Sequence, residues 1–509
     1  MKSERWSTTN EIERVLTSTD KGELGGAILF RKGKTNFAFC GEGHMTIIGG
    51  SGTGKSRRVT FGQLRTLIMK GESFVVVDPK GELYKNTACY AKNTHNIKVF
   101  NCRQPGYSQR WNPLQYAWEL WHKGERSAAQ EKVREFVKDF TGSYKTVDHY
   151  WKESLVNLTT GMAYLLIQLP NKQHCNIGTI YNLLSEDRDS LRGVDSGAGI
   201  VWDGSLQATV DALKEDDPAK KLLAGYLSAA LATRSSVLTT VTNKLADFCI
   251  SEDISNLTSG DDFDIANLDV DNKPLAVYVI IPDGNKVYSE IAAMLVSQLT
   301  THFKNLADKK YGGTLPNRLN IIMEELGNVG RSISELPELM SASRSRNMRM
   351  TLVVQSLSQL DSLYGPNDAE TIRGNTNVWI MFRNSNWDTL QTFSRQCGTR
   401  KLKSGDIFDV QPLINPTQLG AMEIGQALIL INGRTKYITQ FPDYTEMFDC
   451  SNLEEVPLEK TKVEESKETL RLSDIPNLIV RELIVIKRQE SPLKSKFKNC
   501  RSDGGNSDD

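Results

Sequence analysis

None of the eight cysteines forms a C-x-x-C pair, and none stands with histidine at the spacing of a zinc site. That excludes zinc ribbons, thioredoxin-like redox motifs and a disulfide framework. The thiols at 40, 89, 102, 175, 249, 397, 450 and 500 then read as reduced cysteines of a cytosolic protein. No apolar run approaches the roughly 20 residues that cross a bilayer. The longest, GMAYLLIQL and LAVYVII, fit a buried helix and a buried strand, so the chain is not expected to span a membrane by itself. The opening MKSERWSTTNEIERV is polar and holds no signal core. Net charge is missing too, since 62 Lys and Arg balance 62 Asp and Glu. Nothing in the chain as a whole attracts nucleic acid, so a DNA contact needs a local patch or a surface assembled from several copies. Internal repeats are absent.

What is present is an ordinary globular mix, 39% hydrophobic and 24% charged, over 509 residues, enough for two or three domains. GAILFRKGKTNFAF reads as a hairpin. MTII, SFVVVD and NIKVFN are short apolar runs of the kind that form buried strands, and a helix is expected from about Ser56 to Met69. Strand, glycine loop, helix, strand is the βαβ unit of a parallel sheet. From Trp111 the spacing turns helical, with HYWKESLVNLTTGMAYLLIQL, TIYNLLSE and KKLLAGYLSAALATRSSVLTTVTNKLADF as the main helices. EDRDSLRGVDSGAGIVWDGS is expected to be loop-rich. The α/β texture resumes with PLAVYVIIP, LNIIM, RMTLVVQ, VWIMF and QALILING. The expected organisation is a nucleotide-binding domain in two parts, 1–110 and 251–450, an inserted all-α domain at 111–250, and a charged, largely disordered tail at 451–509. In that tail NLIVRELIVI is apolar enough to form one strand or to dock on a partner.

Gly49, Gly50, Ser51, Gly52, Thr53, Gly54, Lys55 and Ser56 match G-x-x-x-x-G-K-[ST] in full. The glycines let successive backbone N–H groups turn inward around a polyphosphate. The lysine reaches the β and γ phosphates, the serine hydroxyl ligates Mg²⁺, and the following helix points its positive end at the anion. A chance glycine-rich loop has no reason to follow an apolar strand and open a helix, as this one does. The reading is ATP or GTP with Mg²⁺. Such a loop needs acids for the metal and for the attacking water. NIIMEELGNVG offers Glu324 and Glu325 at a strand end: Glu324 as metal partner, Glu325 as the base that orients water. Gln355 ends the next strand, where RecA-like ATPases place a polar residue that senses the γ phosphate. Arg344, Arg346 and Arg349 precede that strand. In ring ATPases one such arginine reaches a neighbour's nucleotide, although a basic cluster is more commonly a solvated face.

These residues resemble the type IV secretion coupling proteins, the hexameric conjugative-transfer ATPases of the TraG/TraD kind. The likeness runs from about residue 41 to 447. VVVDPKGELY (75–84) carries it most specifically, followed by RWNPL, HYWKESLVNLTTGMAYLL, ATRSSVLTTVTNKLADF, the EELGNVG to SRSRNMRMTLVVQSLSQLDSLYG stretch, TFSRQCGTR and QALILINGR. The resemblance implies an α/β, RecA-like P-loop NTPase with a mostly parallel central sheet and an inserted all-α domain. It implies that Lys55, Glu324, Glu325, Arg344 and Gln355 serve catalysis, with Arg344 as the finger acting between subunits. Asp78 and Lys80 match the acid and base of the D-P-K-G-E motif, without an assigned role. It further implies a homo-oligomer, in all expectation a hexamer, working with a relaxase or relaxosome, sequence-nonspecific single-stranded DNA and secretion-channel components at the inner face of the cell membrane.

Two features depart from the family's pattern. Glu324 stands where Asp is usual, which bears on the hydrolysis rate. The N-terminal transmembrane pair is missing, which leaves anchoring to a separate membrane protein or makes this a soluble, relaxosome-facing form. The function implied is an ATP-dependent coupling protein that recruits relaxase–DNA or protein substrates to a conjugation channel and drives or gates their transfer. Beside it stand an ATP-binding substrate adaptor with little hydrolysis and, third, a septal-type DNA translocase. The helical insertion argues against the last.

Overall fold

The computed structural model describes residues 4–142, 149–191, 194–195, 200–201, 205–249, 251–282, 284–329, 333, 336–404, 407–450, 454–461 and 470–479. They fall into two compact units. One joins Met1–Gln109 to Phe263–Thr461, and the other joins Arg110–Asp262 to Lys462–Asp509.

The first unit is built on nine strands: β1 (His44–Ile48), β2 (Ser73–Asp78), β3 (Asn96–Asn101), β4 (Leu275–Ile280), β5 (Leu319–Met323), β6 (Met348–Val354), β7 (Thr376–Phe382), β8 (Gln426–Ile431) and β9 (Thr435–Gln440). They form one sheet in the order β9-β8-β7-β1-β6-β5-β2-β4-β3. The seven strands from β7 to β3 run parallel, and β8 and β9 are added antiparallel. Every residue of β1, β2, β4, β5 and β6 is buried. A parallel sheet covered on both faces demands this, and it is why these strands read as unbroken apolar runs rather than alternating ones. One cluster gathers Met45, Ile47, Val59, Val353, Ile380 and Phe382. Another gathers Phe61, Leu64, Leu67, Phe74, Val76, Tyr278 and Ile322. This is the P-loop NTPase architecture with a large, mostly parallel sheet.

The chain departs from the expected pattern at two places in this unit. The helix after the glycine loop opens with one π turn, Ser56–Thr60, before the α-helix Phe61–Met69. An antiparallel hairpin, Thr399–Ser404 with Ile407–Pro412, also forms. Its first strand, TRKLKS, carries one apolar residue and so gives no strand signal. Residues 454–461 lie on this unit: Val456 and Leu458 pack against the second cluster, and the Thr461 N–H donates to the Gly106 carbonyl.

The second unit is helical, with helices Gln115–His122, Arg126–Gly142, His149–Ile167, Ile177–Leu191, Ser205–Asp211, Pro218–Leu227, Leu231–Cys249 and Glu252–Ser259. Phe140 packs 5.7 Å from Phe136 and 5.2 Å from Phe248, ring centre to ring centre. Gly161 lets helix 149–167 press on helix 218–227, since a Cβ there would stand 2.6 Å from Leu223 Cγ. The start of EDRDSLRGVDSGAGIVWDGS is helix rather than loop, because Leu183, Leu184 and Asp187 keep an inward face and Asp187 accepts from the Tyr226 hydroxyl at 2.8 Å. Leu472 ties residues 470–479 to this unit through Glu186 and Thr209. The terminal RSDGGNSDD and NLIVRELIVI from Val480 onward lie outside the described residues. Among the described residues no helix is long and apolar enough to cross a membrane.

Candidate nucleotide-binding site

Sheet order decides what meets at the carboxyl edge. β1 and β5 are not neighbours; β6 lies between them. The glycine loop leaves the end of β1, Gln355 follows β6, Glu324 and Glu325 follow β5, and Asp78 ends β2. At about 4.8 Å per strand, the loop and the acids stand roughly 10 Å apart. Side chains and a polyphosphate can close that gap.

The loop is held from below. The Gly49 N–H donates to the Val354 carbonyl and the Gly50 N–H to the Arg383 carbonyl, both at 3.2 Å. The Thr53 hydroxyl closes the turn onto the Gly50 carbonyl at 2.8 Å. Gly52 and Gly54 have φ of +73° and +94°, a region that side-chain-bearing residues rarely enter. Ser51 tips the loop and is exposed. Lys55 is buried, and its ammonium donates to the carbonyls of Gly49 at 2.7 Å and Gly50 at 3.0 Å. Burial holds its pKa below the usual lysine value, against the pull of Glu324 and Glu325.

Ser56 and Glu324 meet directly: the hydroxyl donates to Glu324 Oε1. The π turn brings Thr60 to the same carboxylate, where its hydroxyl donates to Oε2 at 2.7 Å. Glu324 is buried, and desolvation pushes its pKa up while the two hydroxyls and Lys55 oppose that. Glu325 has φ of +50°, strained for a side-chain-bearing residue, at the turn out of β5. Ser56, Asp78, Lys80, Glu82, Glu324 and Glu325 line one small cavity of about 40 Å³. Among the described residues no group of three or more His, Cys, Asp or Glu could hold a metal ion by itself. That donor set suits Mg²⁺, which takes one or two protein oxygens and completes its shell with water and phosphate.

Gln355 is exposed at the end of β6. Its backbone is pinned by Gln359 Oε1, which accepts the Gln355 N–H at 2.9 Å, and by Asn384 Nδ2, which donates to the Gln355 carbonyl at 2.6 Å. Arg344 is elsewhere. It precedes β6, and its side chain, 60% exposed, lies 3.7 Å from Glu42 ahead of β1. The length of β6, about 20 Å, separates it from the loop of its own chain. The other two arginines of the cluster are committed. Arg346 forms a two-pronged pair with Asp308. Arg349 is buried and donates to Asn320 and to the carbonyls of Phe39, Gly41 and Gly25.

Two residues gain a place that sequence reasoning had not given them. Thr60 has a signal in hindsight, since it stands four positions after Ser56. Asp78 accepts the Tyr84 N–H at 2.9 Å and so fixes the D-P-K-G-E loop. Burial pushes its pKa up to about 6 despite the backbone N–H groups of Tyr84, Lys80 and Gly81.

Comparison with known proteins bears on the fold and the family. Among solved structures the chain is similar to the bacterial conjugative coupling protein TrwBdeltaN70 in a trigonal form with sulphate (TM-score 0.62, 16% identity, 88% of this chain and 97% of that one). It is similar to the plasmid coupling protein TrwB in complex with ADP and Mg²⁺ (0.61, 16%, 88% and 97%). A third likeness is to TrwB with the non-hydrolysable ATP analogue ADPNP (0.60, 16%, 92% and 97%). At that identity the likeness speaks for the fold. No curated protein matches the chain. The profile of the family described as type IV secretory system conjugative DNA transfer matches residues 2–468, nearly the whole sequence, and this chain belongs to that family.

Proposed function

We propose that this chain is an ATP-hydrolysing coupling protein. It recruits a relaxase–DNA or protein substrate to a type IV secretion channel and drives or gates its transfer. The observation that carries the reading is the joining of the Ser56 hydroxyl to the Glu324 carboxylate across the strand that separates them. A hydroxyl and a carboxylate brought together beside a buried lysine are the protein's share of an ATP–Mg²⁺ site. Two of the three Lys55 N–H groups hold the loop carbonyls, and the third is left for a phosphate oxygen. Bound ATP–Mg²⁺ supplies the phosphoryl group whose transfer to water releases the energy. In this reading Glu325 orients that water, and Gln355 senses the γ phosphate from between the loop and the acids. The TrwB complexes with ADP–Mg²⁺ and ADPNP support this choice of ligand.

In this reading its partners are single-stranded DNA read without sequence preference, a relaxase, channel components, a separate anchor at the inner face of the membrane, and further copies of this chain in a ring; membership of the conjugative DNA transfer family supports DNA and secretion-system partners. Phosphate release measured with and without single-stranded DNA tests the reading. Wild type should hydrolyse ATP and be stimulated by DNA, while Lys55→Ala should lose at least about a hundredfold in turnover. Unchanged turnover in Lys55→Ala would exclude the assigned site.

A further inference from the structure

Further along the same carboxyl edge, the ends of β2, β4 and β3 open onto a second and larger cavity of about 620 Å³. That is the size of a small-ligand site, and the phosphate loop does not line it. Its walls are basic. Lys80 and Arg103 face it, neither with a carboxylate partner among the described residues; Arg103 spends one N–H on the Lys80 carbonyl at 3.0 Å. Lys85 is the third cation, 2.7 Å from Glu455. Asn101 lines the cavity and is 2% exposed. Its Oδ1 accepts the N–H groups of Arg103 and Gln104, both at 3.1 Å, which fixes the amide plane at the cavity wall and leaves its NH₂ as the donor. Tyr107, 45% exposed on the turn Pro105–Tyr107, adds an aromatic face.

Cations, an oriented amide donor and an exposed aromatic ring together suit a nucleotide. A bare anion has no use for the tyrosine, and an apolar ligand has none for three cations. One further feature shows what the cations attract. The segment 454–458 crosses this cavity and brings its own carboxylates. Glu455 pairs with Lys85, Glu454 pairs with Lys92 at 2.8 Å, and the Tyr84 hydroxyl donates to the Val456 carbonyl at 3.2 Å. The Glu455 carboxylate therefore stands where a phosphate would. Lys85 and Glu455 are both largely exposed, so water and salt screen the pair and exchange for another anion is easy.

We propose that this cavity takes one nucleotide unit of single-stranded DNA, its phosphate on Arg103, Lys80 and Lys85 and its base on Tyr107, with Glu455 as the resident competitor for Lys85. The proposal rests on the reading that this chain handles single-stranded DNA. Lys80 also lines the small cavity of Ser56, Asp78 and Glu324, so the D-P-K-G-E loop is the wall between the DNA unit and the nucleotide site.

The test is fluorescence anisotropy of a labelled oligothymidylate with the full chain. The variants are Arg103→Glu, Tyr107→Ala and Glu455→Gln, and binding of a fluorescent ATP analogue shows that each is folded. Arg103→Glu and Tyr107→Ala should each weaken oligonucleotide binding about tenfold, and Glu455→Gln should tighten it several-fold. Thymidine monophosphate should compete only at far higher concentration than the oligonucleotide; if it competes equally, the cavity is a mononucleotide site and the DNA assignment is wrong. Wild-type affinity in all three variants overturns the cavity and leaves the coupling function standing. A wild-type chain that binds the ATP analogue but no oligonucleotide overturns both.

Discussion

The two edges of the central sheet are made by the same strands, yet they carry different charged residues. At the carboxyl end of β6 stands Gln355, beside the phosphate loop and the twin glutamates. At the amino end of the same strand stands Arg344, whose one ion-pair contact among the described residues is a long one to Glu42. One edge has the glycine loop with its buried lysine and the two glutamates. The other has the one arginine of its cluster that is neither buried nor locked in a two-pronged pair. A subunit built this way cannot bring its own arginine to its own phosphate. Copies meeting edge to edge could, and such a head-to-tail interface closes into a ring when its rotation closes. The coupling of neighbouring sites would then be a property of sheet geometry rather than of a dedicated loop.

The sharpest way to break that comparison is to remove the arginine. Arg344→Ala should lower turnover by about a thousandfold or more and leave nucleotide affinity nearly unchanged, since a finger stabilises charge that develops only in the transition state. Mixing then separates a finger acting between subunits from one acting within its own. Arg344→Ala and Lys55→Ala are each inactive, but in a mixed ring an Arg344→Ala loop can receive the arginine of a Lys55→Ala neighbour. Random equimolar assembly should restore about a quarter of wild-type activity. Absence of any recovery, with both variants shown to co-assemble, would mean that the two edges do not serve one another.

How much of this could be read from sequence depended on whether a residue's role is local. The strands of the parallel sheet were legible because burial on both faces leaves one signature, an unbroken apolar run. The loop was legible because its function is backbone chemistry at fixed spacing, and the glutamates because they end such a run. What was not legible depended on strand order. The residue types already brought Ser56 and Glu324 to one metal, but nothing in the sequence says that β6 lies between β1 and β5, so their direct hydrogen bond, 268 positions apart, appears only in three dimensions. Thr60 stands four positions after Ser56 and so shares its helix face, but only the fold shows that this face meets Glu324. The cluster SRSRNMR looked uniform, but Asp308 and the carbonyls of Phe39, Gly41 and Gly25 sort its three arginines into different fates. TRKLKS failed for the opposite reason, as a strand with almost nothing apolar in it.

A smaller effect is expected at Glu324, and it separates a motor from an adaptor that holds ATP without turning it over. The longer side chain reaches both Ser56 and Thr60. Aspartate is one methylene shorter and can keep only one of these hydroxyls, at a loss of about 1 kcal/mol for the other. If the site is tuned to glutamate, Glu324→Asp should slow phosphate release by roughly fivefold, which is the same energy expressed as a rate. A gain in rate would show instead that glutamate restrains hydrolysis, as the adaptor reading requires.

The smallest expected effect concerns what anchors the start of the loop's helix. Arg57 follows Ser56 and is paired in two-pronged fashion with Asp443, at 2.8 and 3.0 Å. Asp443 also caps the short helix Tyr444–Met447. The Arg57 guanidinium, with the cap, holds the Asp443 pKa down to about 2. A carboxylate depressed below its unfolded value of about 3.9 stabilises the fold above that value, and the contribution fades as pH falls toward 2. Because Arg57 is more than half exposed, solvent screening limits the pair to about 1 kcal/mol or less. Asp443→Asn should therefore lower the melting temperature by one to a few degrees, roughly, at pH 7 and by about half as much near pH 3. A gap of equal size at both pH values would assign the effect to the helix cap, which asparagine largely preserves, and would leave the Arg57 pair without a measurable part in holding the carboxyl edge together.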